Sequence, residues 1–331
     1  CIRDRVRPVL SMMSSCGVAL FCTDTFLDAH AARLALAAPD LEVVALRRGE
    51  EVSAEDIGRI TVAFFSNDVW PEQAAPFMRI ALDAPNLRWL HSMSAGVDSP
   101  VFSMFLDRGV RVTTSSGASA APIAGTVMLY LLALSRGLPA WLRAQVRHEW
   151  SPTSFRELEG QRVVVVGYGP IGQEVVRLAE AFRMDPVVVR RSAVGDEPRP
   201  VRPLAELTEA VREADAVVVA LPLTPDTRGL FNAEVIAAMP PRAVFVNVGR
   251  GELVDQAALT DALASGRLGG AGLDVFDPEP LPVDDPLWVL PNVIISPHSS
   301  ASSDRTSERV TEIFLENLTR FVRNEPLRNE V

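Results

Sequence analysis

Three short segments, far apart in the chain, place side chains of complementary chemistry just past runs that read as β-strands. They are Val246-Asn247-Val248-Gly249-Arg250-Gly251, Leu273-Asp274-Val275-Phe276-Asp277-Pro278-Glu279-Pro280 and Ser296-Pro297-His298-Ser299-Ser300. Open α/β sheets bind their ligands at the carboxyl ends of the strands. A guanidinium there can hold a carboxylate through two parallel hydrogen bonds. An imidazole can give or take a proton near neutral pH, and a neighbouring carboxylate favours its protonated form. Each residue also has a bland reading: Arg250 as a surface arginine, Glu279 as a loop tip stiffened by prolines, His298 as a core or capping histidine. Glycines flank Arg250, which argues for backbone close to a ligand. His298 is one of four histidines and stands at a strand end. The three coincidences together weigh toward a site.

A fourth segment, Gly167-Tyr168-Gly169-Pro170-Ile171-Gly172, follows the apolar run 162–166 and opens an amphipathic pattern. G-x-G-x-x-G is a weak signal alone and a stronger one between strand and helix. Gly167 permits the tight turn, Gly169 lets a pyrophosphate approach amides at the helix start, and Gly172 allows close helix–strand contact. The alternative is an ordinary glycine-rich turn. An NAD site places an Asp or Glu about 20 residues further on, for the ribose 2′-hydroxyl. Here the next strand ends in Val189-Arg190-Arg191-Ser192. Two guanidiniums and a hydroxyl suit a 2′-phosphate, so NADP is expected in preference to NAD. The bland reading is a solvated pair of loop arginines.

These segments need strands and helices to carry them. Apolar runs at 18–22, 42–46, 61–65, 88–91 and 110–113 read as strands, with helices such as 26–37 and 73–83 between them. After the Ser/Gly/Ala stretch 114–120 comes one long apolar helix, about 122–147, too hydrophobic for a surface helix and suited to interdomain packing or a homodimer interface. The second series has strands 162–166, 186–190, 215–220, 243–247, 270–275 and 292–296, helices 171–182, 232–239 and 255–265, and a closing helix at 303–324. Such alternation predicts parallel sheets covered on both faces.

Composition narrows the chemistry. The 331 residues suit two domains, and 48% hydrophobic residues can fill their cores. The net charge of −10 argues against a nucleic-acid partner. All 32 basic residues are arginine, which excludes Schiff-base lysines and tyrosine–lysine pairs; base composition of the gene is the expected cause. Only Tyr130 and Tyr168 are tyrosines. The sparse cysteines, Cys1, Cys16 and Cys22, suggest reduced thiols, with no disulfide framework or zinc site. No apolar run reaches membrane length, and the stretch from Val18 to Phe21 is too short for a signal peptide, so a cytoplasmic protein without metal or membrane partner is expected.

From the glycine loop to His298 the sequence resembles the D-isomer-specific 2-hydroxyacid dehydrogenase family, over nearly the whole chain and with the three segments in the family's order. The resemblance implies two Rossmann-like, doubly wound parallel-sheet α/β domains with a cleft between them. Residues 1–116 and 300–331 would form the substrate-binding domain and 117–299 the dinucleotide-binding domain. It implies Arg250, Glu279 and His298 as the catalytic trio, places Asp274 and the Val248 backbone near the nicotinamide, and adds Gly249 and Ser300 to the cofactor-binding residues. Leu221, Pro222 and Thr227 look like the family's loop beside the cofactor. His91 to Asp98 looks like its substrate loop, with the amides near Ala95 and Gly96 gripping a carboxylate beside Ser94, and Met93 shaping the side-chain pocket. Ser66 and Asn67 are further candidates for that pocket.

The implied reaction fits the residue types. Arg250 would hold the carboxylate of a 2-keto acid and help polarise the carbonyl, while His298 protonates the carbonyl oxygen as hydride arrives from the reduced nicotinamide. Reduction then weakens as the imidazolium is lost at higher pH, and oxidation requires neutral imidazole. Small substrates such as glyoxylate or hydroxypyruvate are expected, with a homodimer as the assembly. Two departures stand out. Ile123-Ala124-Gly125 replaces the family's usual acidic residue, and Ser299-Ser300-Ala301-Ser302 replaces an apolar residue followed by Ala or Gly. Rival readings are a formate dehydrogenase-like enzyme, which Glu279 disfavours, a short phosphoglycerate dehydrogenase, and a dinucleotide-sensing corepressor. With 33 residues after His298, no regulatory domain is expected.

Overall fold

The computed structural model describes residues 17–97, 99–191 and 201–331. Ser192, expected at the cofactor, lies outside the described residues, as do Asp98, Cys1 and Cys16. The chain divides into two compact units. The first comprises Cys1–Met93, Ser99–Ser115 and Val310–Val331; the second comprises Ser94–Asp98 and Ser116–Arg309. Residues 300–309 therefore fall with the second unit, tied in at their start by hydrogen bonds from Ser300 to Asp274.

In the first unit the order is β1 (Ala19–Thr23), α1 (Asp24–Ala37), β2 (Glu42–Leu46), α2 (Ala54–Arg59), β3 (Val62–Phe65), α3 (Ala74–Asp83), β4 (Trp89–Ser92), α4 (Pro100–Asp107) and β5 (Arg111–Thr114). The strands form one parallel sheet in the order β2-β1-β3-β4-β5. Sequence reading anticipated all five strands within a residue but not α2 or α4. α2 is six residues long with no buried side chain, so it leaves no apolar period.

The second unit contains α5 (Ala120–Arg136), α6 (Leu138–Val146), β6 (Arg162–Val166), α7 (Pro170–Ala181), β7 (Asp185–Arg190), β8 (Val201–Pro203), α8 (Leu207–Val211), β9 (Ala216–Val219), α9 (Ala233–Ala238), β10 (Val244–Asn247), α10 (Gln256–Ala264), β11 (Gly270–Leu273) and β12 (Val293–Ile295). A last helix, α11 (Thr306–Val322), joins the first unit from Val310 on. The seven strands form a parallel sheet ordered β12-β11-β10-β9-β6-β7-β8. Chain order reverses between β6 and β9, the switch point where such sheets bind ligands.

The valines of β6 show why the run is uninterrupted. Val164 and Val166 enter one core with Val217 and Val219, while Val163 and Val165 enter the opposite core with α5 and α7. A strand covered on both faces has no polar side to alternate. The expected long helix 122–147 is two helices. Gly137 takes a left-handed φ of 71°, and its N–H bonds the carbonyls of Ala133 and Leu134. Pro139 then starts α6, and the pair is bent by 66°. A glycine C-cap followed by an early proline is a stop signal that the continuous apolar pattern concealed. Among the described residues no single helix is long and apolar enough to cross a membrane, although this bent pair passes by length and composition alone.

His91 in β4 is wholly buried between Phe64, Trp89 and Phe314. Its Nδ1 lies 2.6 Å from Thr113 Oγ1 and its Nε2 3.1 Å from Ser115 Oγ. Burial pushes its pKa down from 6.5 to about 3. Below pH 6.5 only the unfolded chain takes this proton readily, so stability is lost as pH falls from there toward about 3. Urea unfolding between pH 6 and pH 5 should therefore show a slope about 1.4 kcal/mol per pH unit shallower in His91→Asn than in the wild type. Parallel slopes would contradict a buried neutral imidazole.

Candidate active site

The glycine loop is shaped by backbone that leaves no room for a side chain. Gly167 has φ 107°, and a Cβ there would stand 2.4 Å from the Ala220 carbonyl oxygen. A Cβ on Gly172 would stand 2.0 Å from the Gly167 carbonyl oxygen. Gly169 differs: it is the N-cap of α7, and nothing lies within 4 Å of where its Cβ would be. The space beside Gly169 at the start of α7 is therefore open, as close approach of a pyrophosphate requires. A cavity of about 320 Å³ borders this loop, lined by Gly169, Pro170 and Ile171, by Leu221 and Pro222, by Val248, Gly249 and Arg250, and by Ala95 and Gly96. These residues fit a dinucleotide: a glycine cradle, a helix start and a cationic side chain border one space.

Tyr168, Arg190, Arg191 and Thr227, also expected at the cofactor, are not among the residues that line this cavity. The Gly167 N–H bonds the Val189 carbonyl at 2.8 Å, so Arg190 ends, and Arg191 follows, the strand next to the glycine loop. Tyr168 is half-buried and packs on the α5–α7 core. Thr227 is buried, with its hydroxyl on the Pro222 carbonyl at 2.8 Å and accepting the Thr224 N–H at 2.8 Å. It shapes the 221–228 loop and does not line the cavity.

Arg250 sits on a turn that Asn247 fastens. The Asn247 side chain accepts the Gly249 N–H at 3.0 Å and donates to the Arg250 carbonyl at 2.9 Å. Sequence reading passed over Asn247, although an asparagine at a strand end is a familiar turn former. The Arg250 guanidinium reaches back to the Gly249 carbonyl at 2.8 Å. The next residue, Gly251, lies so close to the following loop that a Cβ would stand 1.9 Å from the Phe276 carbonyl oxygen.

That following loop orients the carboxylate. Glu279 Oε1 accepts the Phe276 N–H at 2.9 Å, and Oε2 lies 2.8 Å from His298 Nδ1. A carboxylate can only accept, so Nδ1 carries the proton and Nε2 is left to act. His298 is half-exposed and has φ 48°, a left-handed conformation uncommon outside glycine. Its N–H donates to the Asp274 carbonyl at 2.8 Å. The Asp274 side chain is buried and accepts from Ser299 N–H at 2.9 Å, from Ser300 N–H at 3.1 Å, and from the hydroxyls of Ser296 and Ser300. Glu279 and His298 are thus in contact. Arg250 is joined to them through the Gly251–Phe276 backbone approach, and it lines a different cavity. His298 and Glu279 border an apolar cavity of about 370 Å³ with Leu281 and Trp288.

The predicted substrate loop straddles the two units. Met93, at the end of β4, donates its N–H to Phe65 O at 2.9 Å and belongs to the first unit, whereas Ser94, Ala95 and Gly96 belong to the second. Ser94 Oγ donates to the Gly96 carbonyl at 2.7 Å. Ser66 is buried with its hydroxyl on Asp68, and Asn67 is exposed.

Comparison with known proteins finds relatives in sequence and in fold. The family described as D-isomer specific 2-hydroxyacid dehydrogenase, NAD binding domain, matches residues 128–300. A glyoxylate reductase/hydroxypyruvate reductase of Homo sapiens is 34% identical over 260 residues, 74% of this chain and 77% of that protein. A D-3-phosphoglycerate dehydrogenase of Methanocaldococcus jannaschii is 35% identical over 255 residues, covering 75% of this chain but 48% of that protein, so the chain spans about half the relative's length. A D-isomer specific 2-hydroxyacid dehydrogenase from Xanthobacter autotrophicus, solved with NADPH and MES, superposes with a TM-score of 0.77 at 32% identity, covering 95% of this chain and 98% of that one. An NADPH-dependent glyoxylate/hydroxypyruvate reductase from Sinorhizobium meliloti, solved with NADP and sulfate, gives 0.76 at 30% identity with the same coverage.

The backbone approach at Gly251 yields a direct test. Gly251→Ala should destabilise the protein by about 1–3 kcal/mol or more, because a rigid carbonyl cannot move aside for the methyl. Gly125→Ala, on the exposed face of α5 with nothing within 4 Å, should be neutral or stabilising. Urea midpoints of the two variants check this, and equal midpoints would mean the two loops are not packed backbone to backbone.

Proposed function

Because the chain belongs to the D-isomer specific 2-hydroxyacid dehydrogenase family, we propose that it transfers a hydride between NADP(H), or less readily NAD(H), and a small 2-keto acid or D-2-hydroxy acid such as glyoxylate or hydroxypyruvate. The observation that carries this reading is the His298 Nδ1–Glu279 Oε2 contact of 2.8 Å at the strand ends of the glycine-loop unit. When bound, the reduced nicotinamide supplies the hydride. The protein's own residues do the rest. The Arg250 guanidinium holds the substrate carboxylate, helped by amides near Ala95 and Gly96. His298 Nε2 gives its proton to the carbonyl oxygen in reduction and takes it back in oxidation. Glu279 fixes the tautomer and steadies the charge that His298 carries between the two. The amides at the start of α7 take the pyrophosphate, and Arg190 and Arg191 take the 2′-phosphate.

The reading extends to assembly and location. Leu129, Leu142, Val146 and Trp150 are exposed, the last two at 82% and 96%, on and after the α5–α6 pair. Large apolar side chains exposed in this number are best covered by a second copy of the chain, so a homodimer is proposed. The cytoplasm is the proposed location, since the nicotinamide pools that the reaction draws on are there and Cys22 is a buried free thiol.

Two measurements test these statements. Absorbance assays with NADPH and NADH against glyoxylate, hydroxypyruvate, pyruvate and a bulkier keto acid should show turnover with NADPH preferred. His298→Ala should lower kcat by roughly 10²–10⁴-fold, and Glu279→Gln should lower it by about tenfold or more, the loss of one charge-assisted hydrogen bond. No turnover with any keto acid favours the dinucleotide-sensing alternative, better NADH than NADPH removes the role given to Arg190 and Arg191, and unchanged Glu279→Gln kinetics removes the role of Glu279. In sedimentation velocity the wild type should run as a dimer and a Leu142→Glu, Trp150→Glu double variant as a monomer; a monomeric wild type overturns the assembly.

A further inference from the structure

Tyr130 is one of two tyrosines in the chain, and the proposed reaction gives it no task. It lies in the middle of α5, 1% exposed, with its ring seated where a Cβ on Gly272 would stand 2.3 Å from its Cγ. A glycine in β11 thus admits the ring. At its far end the phenol hydroxyl contacts the Ser296 hydroxyl, which in turn donates to Asp274 Oδ1. Serine has one hydroxyl proton, and Asp274 receives it, so Tyr130 is the donor to Ser296. Burial raises the Tyr130 pKa above its ordinary value against the opposing Ser296 hydrogen bond, and the Asp274 charge adds to the rise, so the phenol keeps its proton.

Asp274 is where this chain of donors ends and the His298 segment begins. Its carboxylate accepts the N–H groups of Ser299 and Ser300 and the Ser300 hydroxyl, and its carbonyl accepts the His298 N–H. Ser296, Asp274 and the Ser300 amide therefore bracket His298, which is held at φ 48°. Such a conformation persists where the surroundings over-determine it.

We propose that Tyr130 and Ser296 are positioning residues: through the Asp274 carboxylate they hold the backbone of His298 so that its imidazole meets Glu279 and presents Nε2 for proton transfer. The proposal rests on the reading of His298 as the proton donor. Neither residue touches the reacting atoms. Both act through the segment that carries the imidazole.

Tyr130→Phe keeps the ring over Gly272 and removes only the hydroxyl. Ser296→Ala removes the middle link, and Ser296→Thr keeps it. Hydrogen exchange followed by mass spectrometry over residues 296–302 should run about tenfold faster in Tyr130→Phe and Ser296→Ala, the equivalent of one buried hydrogen bond, and near the wild-type rate in Ser296→Thr. In keto-acid reduction the first two variants should lose about tenfold in kcat with KM and the NADPH Kd changed by less than about twofold. In a His298→Ala background Tyr130→Phe should cost nothing more, because its effect is transmitted through the imidazole. Unchanged exchange means that these hydroxyls do not hold the segment. Faster exchange with an intact kcat, or an equal loss in the His298→Ala background, overturns the positioning role. A wild type without turnover refutes the proposed reaction instead, and the exchange rates still decide whether the hydroxyls hold the segment.

Discussion

The site depends on strand-end loops packed backbone against backbone. The carbonyl of Gly167 fills the place of a Gly172 side chain, the carbonyl of Ala220 that of a Gly167 side chain, and the carbonyl of Phe276 that of a Gly251 side chain. A rigid carbonyl in that position converts a flexible loop into one whose place is set by its neighbour. The last of these contacts matters most for chemistry. Phe276 also supplies the N–H that orients Glu279, and Glu279 orients His298. The position of a guanidinium-bearing turn is thereby coupled to that of an imidazole 48 residues later in the sequence without any bond between the two side chains. This is how an open α/β sheet converts regular strand spacing into a site: the strands set the pitch, and side-chain-free positions let the loops close on one another.

His91 and His298 show that environment decides what a histidine is for. Both lie at or just past a parallel strand. His91 is sealed among Phe64, Trp89 and Phe314, its two nitrogens take neutral hydroxyl partners, and burial holds it deprotonated through the physiological range. His298 has a carboxylate on Nδ1, a half-exposed ring and a backbone conformation that no regular element supplies. A neutral hydroxyl satisfies a ring nitrogen without favouring charge, and a carboxylate favours it. The first arrangement builds a core. The second can cycle a proton.

Much of this could be read from the residues because it is local. The valine run 162–166, the G-x-G-x-x-G after it and the helix opening at Pro170 lie within a few residues of one another, and the strands of both sheets appear as apolar runs because burial on two faces removes alternation. The break at Gly137 was visible as a glycine two residues before a proline, but the apolar pattern continues through it, and pattern outweighed punctuation. Asn247 needed only the turn chemistry of its own segment. Tyr130 had no such signal, since its partner is 166 residues away and its packing space exists because β11 has a glycine opposite it. Sequence neighbours cannot reveal a contact made only when the sheet is assembled.

The environment of Asp274 bears on what a dinucleotide could ask of it. A carboxylate offers about four lone-pair directions. In this chain two backbone N–H groups and two serine hydroxyls converge on them. A nicotinamide group seeking the same carboxylate would have to replace one of these donors, and the Ser300 hydroxyl is the one that can leave, since it rotates on its own bond while the two amides and Ser296 are fixed by the chain and by Tyr130. The Ser300 hydroxyl is therefore a donor that would compete with such a group for Asp274. The competition would raise the cost of bringing a carboxamide to the carboxylate, while the same hydroxyl helps keep the His298 segment ordered. Four donors on one buried carboxylate thus order the His298 segment within the protein itself, through contacts that need no ligand.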